Sequence, residues 1–332
     1  MLTWQIETLD LALKFTWKIS RNATDVKTNL IVTVGNERVQ GRGEAAPNIR
    51  YGETPALLLE QFENLQKNGL SSVETVEELQ YLTQRENVMP ALRFALESTL
   101  VHYLSRKASK TVPEFLGVPA VTATPTAFTF PIMEPGKIAA FAQEHELKRF
   151  QYLKVKVNEE SGLDMMSEVF KATAQPLIVD ANEAWQDPDA LIRFMEGLKK
   201  FSILMLEQPM PAALNEEYLY LKPYSPYDLF ADESVTDHAD WDLLKRQFHG
   251  VNMKLMKAGG YLNGLAILQK TRSLGLKTMI GCMMETSMGI WSAIQLAHGV
   301  DYLDLDGMLV VKDEPFKYVT EQDGILTPIK QP

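Results

Sequence analysis

The sequence predicts an α/β protein, a modified TIM barrel of seven βα units and a closing strand, (β/α)7β, under an α+β capping domain made from the N-terminal region and the C-terminal tail. Three observations carry this. Short apolar runs recur eight times after residue 124, roughly 22–27 residues apart, with helical stretches between them. The first third alternates and then turns helical, and the last twenty or so residues read as extended chain. With 332 residues there is room for a barrel, which takes about 200 residues or more, and for a cap.

Residues 2–15 alternate apolar and polar side chains, and 29–35 (NLIVTVG) is a second strand ending in a turn before Asn36. The segment 41–47 (GRGEAAP) follows, and 48–55 is polar and loop-like. From 56 to about 110 the period becomes helical. Within 86–105 it puts Leu92, Ala95, Leu96, Leu100 and Tyr103 on one face, with Pro90 in the first turn, where a missing N–H costs little. The eight later runs are TAFTF (126–130), YLKVKV (152–157), LIVDA (177–181), ILMLEQP (203–209), DLFADES (228–234), VNMKLM (251–256), KTMIGC (277–282) and YLDLDG (302–307). Helical stretches at 138–145, 163–174, 188–200 and 261–274 separate them, the signature of βαβ units and a parallel sheet. Eight such strands suggest closure into a ring. No helical stretch seals the last strand; the tail is expected to return to the N-terminal module. The expected units are a cap over 1–118, a barrel over 119–312 and a tail over 313–332.

Composition narrows the function classes. A content of 45% hydrophobic and 23% charged residues is ordinary for a globular protein. The net charge of -10, from 43 acidic and 33 basic residues, disfavours nucleic acid and anionic membranes, which need a clustered positive field. Cys282 is the single cysteine, so there is no intramolecular disulfide and no thiolate cluster for zinc. The N-terminus lacks the apolar core of a signal peptide, and no window approaches 18 uninterrupted apolar residues. A cytoplasmic protein acting on a small molecule is the expectation.

Barrel sites lie at the C-terminal ends of the strands, and here those ends are ionisable. They are Lys154 and Lys156 on the second strand, Asp180 on the third, Glu207 on the fourth, Asp232 on the fifth, Lys254 on the sixth, and Asp304 and Asp306 on the eighth. Such residues are expensive to bury without a job. Asp180, Glu207 and Asp232 come from adjacent strands, so their carboxylates are expected to converge. Three hard oxygen ligands without His or Cys favour Mg²⁺ over zinc. Lys156 precedes the trio and Lys254 follows it, on opposite sides of a closed ring. Two lysines facing each other across a metal-bound carboxylate meet the requirement for 1,1-proton transfer, since the metal neutralises the enediolate. Each must be partly neutral to act as a base. Burial and a neighbouring cation, for which Lys154 is placed by the i, i+2 strand period, are expected to lower its pKa.

The motifs KVK (154–156), VDAN (179–182), EQP (207–209), ADES (231–234), KLMKAGG (254–260) and GCMMETS (281–287) together resemble the enolase superfamily, and within it the muconate-lactonizing subgroup. The resemblance covers essentially the whole chain. It implies a Lys base with Mg²⁺, the known pattern of that superfamily. Lys156 and Lys254 then correspond to the bases, and Asp180, Glu207 and Asp232 to the metal ligands. The DLD at 304–306 resembles the dipeptide epimerases of the subgroup, where it binds a substrate ammonium. Cycloisomerases and o-succinylbenzoate synthases share the core but have no use for an anionic pair. The resemblance also implies substrate contacts at Thr129, Lys154, Cys282, Met283 and Met284, and a cap loop in which Arg21 is placed to meet an acidic side chain, as in epimerases acting on Ala-Glu. The apolar neighbourhood of Trp17, Ile19, Tyr51, Met283 and Met284 leans instead toward an Ala-X dipeptide with X small or hydrophobic. Similar proteins are often homo-oligomers.

Each residue alone has a blander reading. Lys154 and Lys156 would be a solvated strand edge, Asp180 a helix N-cap, and Asp304 and Asp306 turn residues before Gly307. All of these coincidences at one end of successive strands would be rare in a barrel without a site. A Schiff-base lyase using either lysine as nucleophile leaves the carboxylate trio unexplained. A non-catalytic binding protein would be marked by loss of a ligand or a lysine, and all are present. Lys257 is read as structural or electrostatic, Glu285 is unassigned, and His102, His145, His238, His249 and His298 match no strand end.

Overall fold

In the computed structural model, which describes residues 2–36, 38–236 and 239–332, all eight apolar runs lie in one parallel sheet. The cap comes first. Strands β1 (Thr3–Lys18), β2 (Ala23–Gly35) and β3 (Gln40–Ala45) form an antiparallel sheet in that order. Helices α1 (Pro55–Lys67), α2 (Val76–Arg85), α3 (Pro90–Lys107) and α4 (Val112–Leu116) follow. Thr75 caps α2 with a capping box, its hydroxyl taking the Glu78 N–H while Glu78 reaches back. Helix α3 starts at Pro90 as expected, but it is buried all round rather than on one face, from Ala91 through Tyr103 with the exception of Arg93. The β2–β3 sheet packs on one side of it and the helix following the sixth barrel strand on the other. The contact is close: a Cβ on Gly41 would lie 2.2 Å from the Thr99 carbonyl and 2.5 Å from Tyr103 N. Only glycine lets strand and helix backbones meet there.

Strand β4 (Thr124–Pro125) leads into the barrel strands β5 (Phe128–Phe130), β6 (Leu153–Lys156), β7 (Leu177–Asp180), β8 (Ile203–Glu207), β9 (Asp228–Ala231), β10 (Gly250–Met253), β11 (Lys277–Gly281) and β12 (Tyr302–Asp304). They pair in sequence order, and the Ala127 N–H bonds the Leu303 carbonyl at 3.0 Å, linking the last strand to the first. The connecting helices are α5 (Ile138–Glu144), α6 (Gly162–Thr173), α7 (Pro188–Gly197), α8 (Asn215–Leu221), α9 (Trp241–Gln247), α10 (Leu255–Ala258) with α11 (Tyr261–Ser273), and α12 (Ser287–Ile294). No helix follows β12; instead Lys14 N bonds Val310 O and Lys312 N bonds Ala12 O, tying this stretch to β1. The hairpin β13 (Val319–Gln322) and β14 (Ile325–Pro328) then pairs with β4, and Gln331 bonds His102 O and Ser105 Oγ on α3. The tail thus returns to the cap, as expected.

The two-residue period of the strands stacks the barrel interior in layers. Ile178, Met205, Phe230 and Met279 form an apolar plug. Gly250 makes room for the Phe230 ring, which a Cβ would meet at 2.3 Å. Two residues further along each strand stand Asp180, Glu207, Asp232, Asn252 and Gly281. The ionic layer therefore rests on hydrocarbon. Among the described residues no helix is long and apolar enough to cross a membrane.

Candidate active site

Strand register brings the ionic residues level: Lys156 lies opposite Asp180, and Asp180 opposite Glu207. Lys154, 1% exposed, sits among three carboxylates, its Nζ 2.8 Å from Asp180, 2.8 Å from Glu207 and 2.7 Å from Asp304. Lys156 Nζ lies 2.5 Å from Asp180, and Lys254 Nζ 2.9 Å from Asp232. Lys257 Nζ also reaches Asp232, at 2.5 Å, so the residue read as structural or electrostatic pairs with this carboxylate. Asn252, two residues before Lys254 on the inward face of β10, donates to Glu207 Oε1 at 2.7 Å. It is a participant that sequence reasoning missed and that the strand period would have found.

Burial and pairing compete for every proton here. Burial opposes the charge of Asp180, but Lys154 and Lys156 outweigh it and hold the carboxyl below its usual range. Asp232 is likewise held low, burial being outweighed by Lys254, Lys257 and Lys154. Burial and the charge of Asp180 push Glu207 up to about 7, against the pull of Lys154. For Lys254 the expectation of a lowered pKa is not met. Burial does act to lower it, but attraction by Asp232, with Glu207 and Asp180 behind it, leaves it raised. Lys154 also stays firmly charged, since Asp180, Asp304 and Glu207 outweigh its burial.

The expected convergence of Asp180, Glu207 and Asp232 on one point is divided in this structure between lysine ammonium groups. Among the described residues no three His, Cys, Asp or Glu side chains stand as a ready metal cage. The reason is charge: buried carboxylates need a counter-charge, and the lysines are within reach. The donor set nevertheless fits a hard cation. The three carboxylates are 0–2% exposed, with no sulfur or imidazole among them. Glu207 Oε2, although 2.8 Å from Lys154 Nζ, makes no hydrogen bond of proper geometry.

Side chains from the other loops complete the walls. Asp306 accepts the Thr129 N–H at 2.7 Å, while burial and neighbouring Asp304 push its carboxyl up to about 7. Cys282 Sγ accepts the Gly307 N–H at 3.3 Å, and burial, with Asp306 next, keeps it a thiol. Asn29 of the cap donates to the Met284 carbonyl. Gln208, at φ +35° in the left-handed region, accepts the N–H groups of Asp232 and Ser234 and so ties the end of β8 to the end of β9. Such strain in a non-glycine residue persists where surrounding bonds dictate it.

Arg21 lines the cavity and is also bonded to the barrel. Its guanidinium, in the loop between β1 and β2, bonds Glu183 at 2.7 Å, Glu233 at 2.9 Å and the Asn182 carbonyl. Arg50 takes Glu183 from the other side at 2.8 Å. The acidic residues after β7 and β9 are largely buried and require these partners, so Arg21 clasps cap to barrel. Between cap and barrel mouth lies a cavity of about 590 Å³, lined by Lys154, Lys156, Lys254, Thr129, Asp304, Asp306, the Cys282–Met283–Met284 loop and Arg21.

Glu285, 4% exposed, accepts the Met283 N–H at 2.8 Å; burial, with Glu44 next, pushes its carboxyl up to about 8. A carboxyl harder to ionise in the fold than in the unfolded chain costs stability as pH rises. The cost begins above its unfolded value of about 4.3 and is complete above the folded value. Glu285→Gln keeps an acceptor for Met283, and should match the wild type near pH 4–5 while exceeding its stability by about 1–3 kcal/mol at pH 8. Thermal denaturation across this range checks it; a variant less stable at pH 8 would mean the ionised form is the one the fold requires.

The comparisons agree with this geometry. The enolase C-terminal domain-like family model matches residues 137–323. An L-Ala-D/L-amino acid epimerase from Pedosphaera parvula is 33% identical over 326 residues, covering 96% of this chain and 93% of the relative. An enolase family member from Agrobacterium tumefaciens with homology to dipeptide epimerases, crystallised with sodium and L-Ala-L-Glu, superposes with a TM-score of 0.91 at 26% identity, over 99% of this chain and 98% of that one. A dipeptide epimerase from Enterococcus faecalis, complexed with Mg and L-Leu-L-Tyr, gives a TM-score of 0.88 at 26% identity, over 99% and 97%. With its barrel, its strand-end lysines and carboxylates and these relatives, the chain belongs to the enolase superfamily and is an isomerase of it.

Proposed function

We propose that the protein is a Mg²⁺-dependent dipeptide epimerase that inverts the α-carbon of the C-terminal residue of an Ala-X dipeptide by two-base 1,1-proton transfer. The observation that carries this is one cavity flanked by Lys156 and Lys254, with three strands between theirs, and with Asp304 and Asp306 on its wall. Asp180, Glu207 and Asp232 would hold the divalent cation, which supplies positive charge to the substrate carboxylate beside the carbon that loses its proton. Lys156 and Lys254 then exchange the α-proton from opposite faces, one Nζ removing it and the other returning one. In the reverse direction the two lysines trade roles, each being base for one epimer and acid for the other.

At the other end of the substrate, Asp304 and Asp306 offer carboxylates to the N-terminal ammonium. An ammonium would favour the ionised form of Asp306, which burial and the neighbouring Asp304 discourage. Trp17, Ile19, Tyr51, Met283 and Met284 supply apolar wall, which suits an X that is small or hydrophobic. A cycloisomerase or o-succinylbenzoate synthase would face the same anionic pair with no amine to neutralise it. The Mg and dipeptide in the Enterococcus enzyme support the same reading. The test is deuterium exchange: in D₂O with Mg²⁺, the protein should wash deuterium into the α-position of X and produce the epimer. A broad L-Ala-X library in which nothing exchanges refutes it.

A further inference from the structure

Among the described residues, nearly every side-chain partner of the three central carboxylates is a cation. Asp180 is held by Lys154 and Lys156, Asp232 by Lys254 and Lys257, and Glu207 by Lys154. One partner is neutral. Asn252, fully buried on β10, reaches past β9 to β8 and donates its Nδ2 to Glu207 Oε1 at 2.7 Å. The amide fits only this way round, because its oxygen at that distance from a carboxylate oxygen would set acceptor against acceptor. The result is asymmetric. Glu207 Oε1 has a donor, whereas neither Glu207 Oε2 nor Asn252 Oδ1 takes part in a hydrogen bond of proper geometry among the described residues. Room for the amide is left by Gly281 at the end of β11, where an added Cβ would lie 2.7 Å from Asn252 Oδ1 and 2.8 Å from Nδ2. Lysine and amide both stabilise a buried carboxylate, but they differ toward a divalent cation. A lysine cancels the negative charge that the cation needs and repels the cation as well. An amide N–H fixes the carboxylate and leaves its charge intact.

We propose that Asn252 is a positioning residue for the divalent cation: by holding Oε1 of Glu207 it reserves Oε2 as the oxygen that meets the ion. The inference rests on the Mg²⁺-dependent reading and adds to it a residue outside both the ligand set and the pair of bases. An amide that leaves its own oxygen unpaired in the barrel is a poor choice for packing alone, since an unpaired buried acceptor costs stability. Leucine has nearly the same shape and no donor. It would fill the seat beside Gly281 and leave Glu207 unheld.

The experiment measures binding of Mn²⁺, which takes the same hard oxygen ligands as Mg²⁺ and is followed by its electron paramagnetic resonance signal, with and without L-Ala-L-Leu. The proteins are the wild type, Asn252→Leu, Gly281→Ala and, as a control for lost stability, Leu79→Ala, a core truncation in helix α2 of the cap. A dissociation constant does not depend on how much of a preparation is folded, which the stoichiometry reports. Asn252→Leu should weaken binding by about 10–100-fold, the usual effect of losing a partner that orients a metal ligand. Gly281→Ala keeps the amide but drives it from its seat, and should weaken binding in the same direction. Leu79→Ala should melt earlier and bind Mn²⁺ as the wild type does. Wild-type affinity in Asn252→Leu or in Gly281→Ala, or an equal loss in Leu79→Ala, overturns the Asn252 assignment and leaves the epimerase reading standing. A wild type that binds no Mn²⁺ under either condition overturns the Mg²⁺-dependent reading itself.

Discussion

Replacing Lys156 or Lys254 by alanine should each lower epimerisation by about 10²–10⁴-fold, the usual worth of a positioned general acid or base, yet leave half of the chemistry detectable. In the proposed mechanism each lysine serves one face of the α-carbon. A variant that retains only the lysine facing the proton of the L,L substrate can still remove that proton and return deuterium to the same face. It then exchanges without inverting. The other variant should exchange only the L,D epimer. The readout is α-deuteration followed separately from each epimer in D₂O, and the complementary pattern distinguishes two bases from one base plus a structural lysine. Full two-way turnover in either variant would remove that lysine from the mechanism. The site's ion pairs explain why alanine suits both positions. Lys156 shares Asp180 with Lys154, and Lys254 shares Asp232 with Lys257, so neither deletion strands a carboxylate without a cation.

The eight barrel strands were legible because each is a short apolar run at a regular spacing, and six of them end in a charge, a pattern one strand states weakly and the set states together. The strand-end residues were legible for the same reason: the two-residue period puts every second side chain into the barrel. Less visible was what each charge touches. Lys154 and Lys156 share a strand face, which the sequence does imply, but their common attachment to Asp180 depends on register between strands. Arg21 was visible as a cation in a cap loop. That it reaches Glu183 and Glu233 depends on how the cap sits on the barrel, which no local period encodes. Helix α3 was misjudged in a related way. The helical period marked one apolar face, yet the polar residues Glu97, Ser98, Thr99 and His102 off it are each buried with a partner, and His102 bridges the Arg42 carbonyl and the Tyr261 hydroxyl. Burial holds its imidazole neutral, with a pKa near 3. His102 therefore serves the packing of cap on barrel, while His238 lies outside the described residues.

Lys154→Met should be the most destabilising of the charge deletions at this site, and its cost should depend on pH and on divalent cations. The lysine is buried and lies within 2.8 Å of Asp180, Glu207 and Asp304. Methionine fills much of its stem but none of its charge. Asp180 keeps Lys156 as partner, whereas no other lysine or arginine forms an ion pair with Glu207 or Asp304 among the described residues. Breaking a buried pair from one side typically costs about 3–5 kcal/mol, each kcal/mol being worth roughly 1–2 °C of melting temperature in a chain of this size. The stranded carboxyls would have pKa values raised above those of the unfolded chain. The deficit should accordingly be largest at pH 8 and shrink as pH falls toward 5, where protonation relieves it. Mg²⁺ should raise the melting temperature of this variant more than that of the wild type, because an ion binding the folded carboxylates restores the missing charge by mass action. Melting curves at pH 5 and 8, with and without Mg²⁺, test each part. A variant that melts with the wild type under all four conditions would show that these carboxylates are neutralised without Lys154, and its place at the centre of the ionic layer would need another explanation.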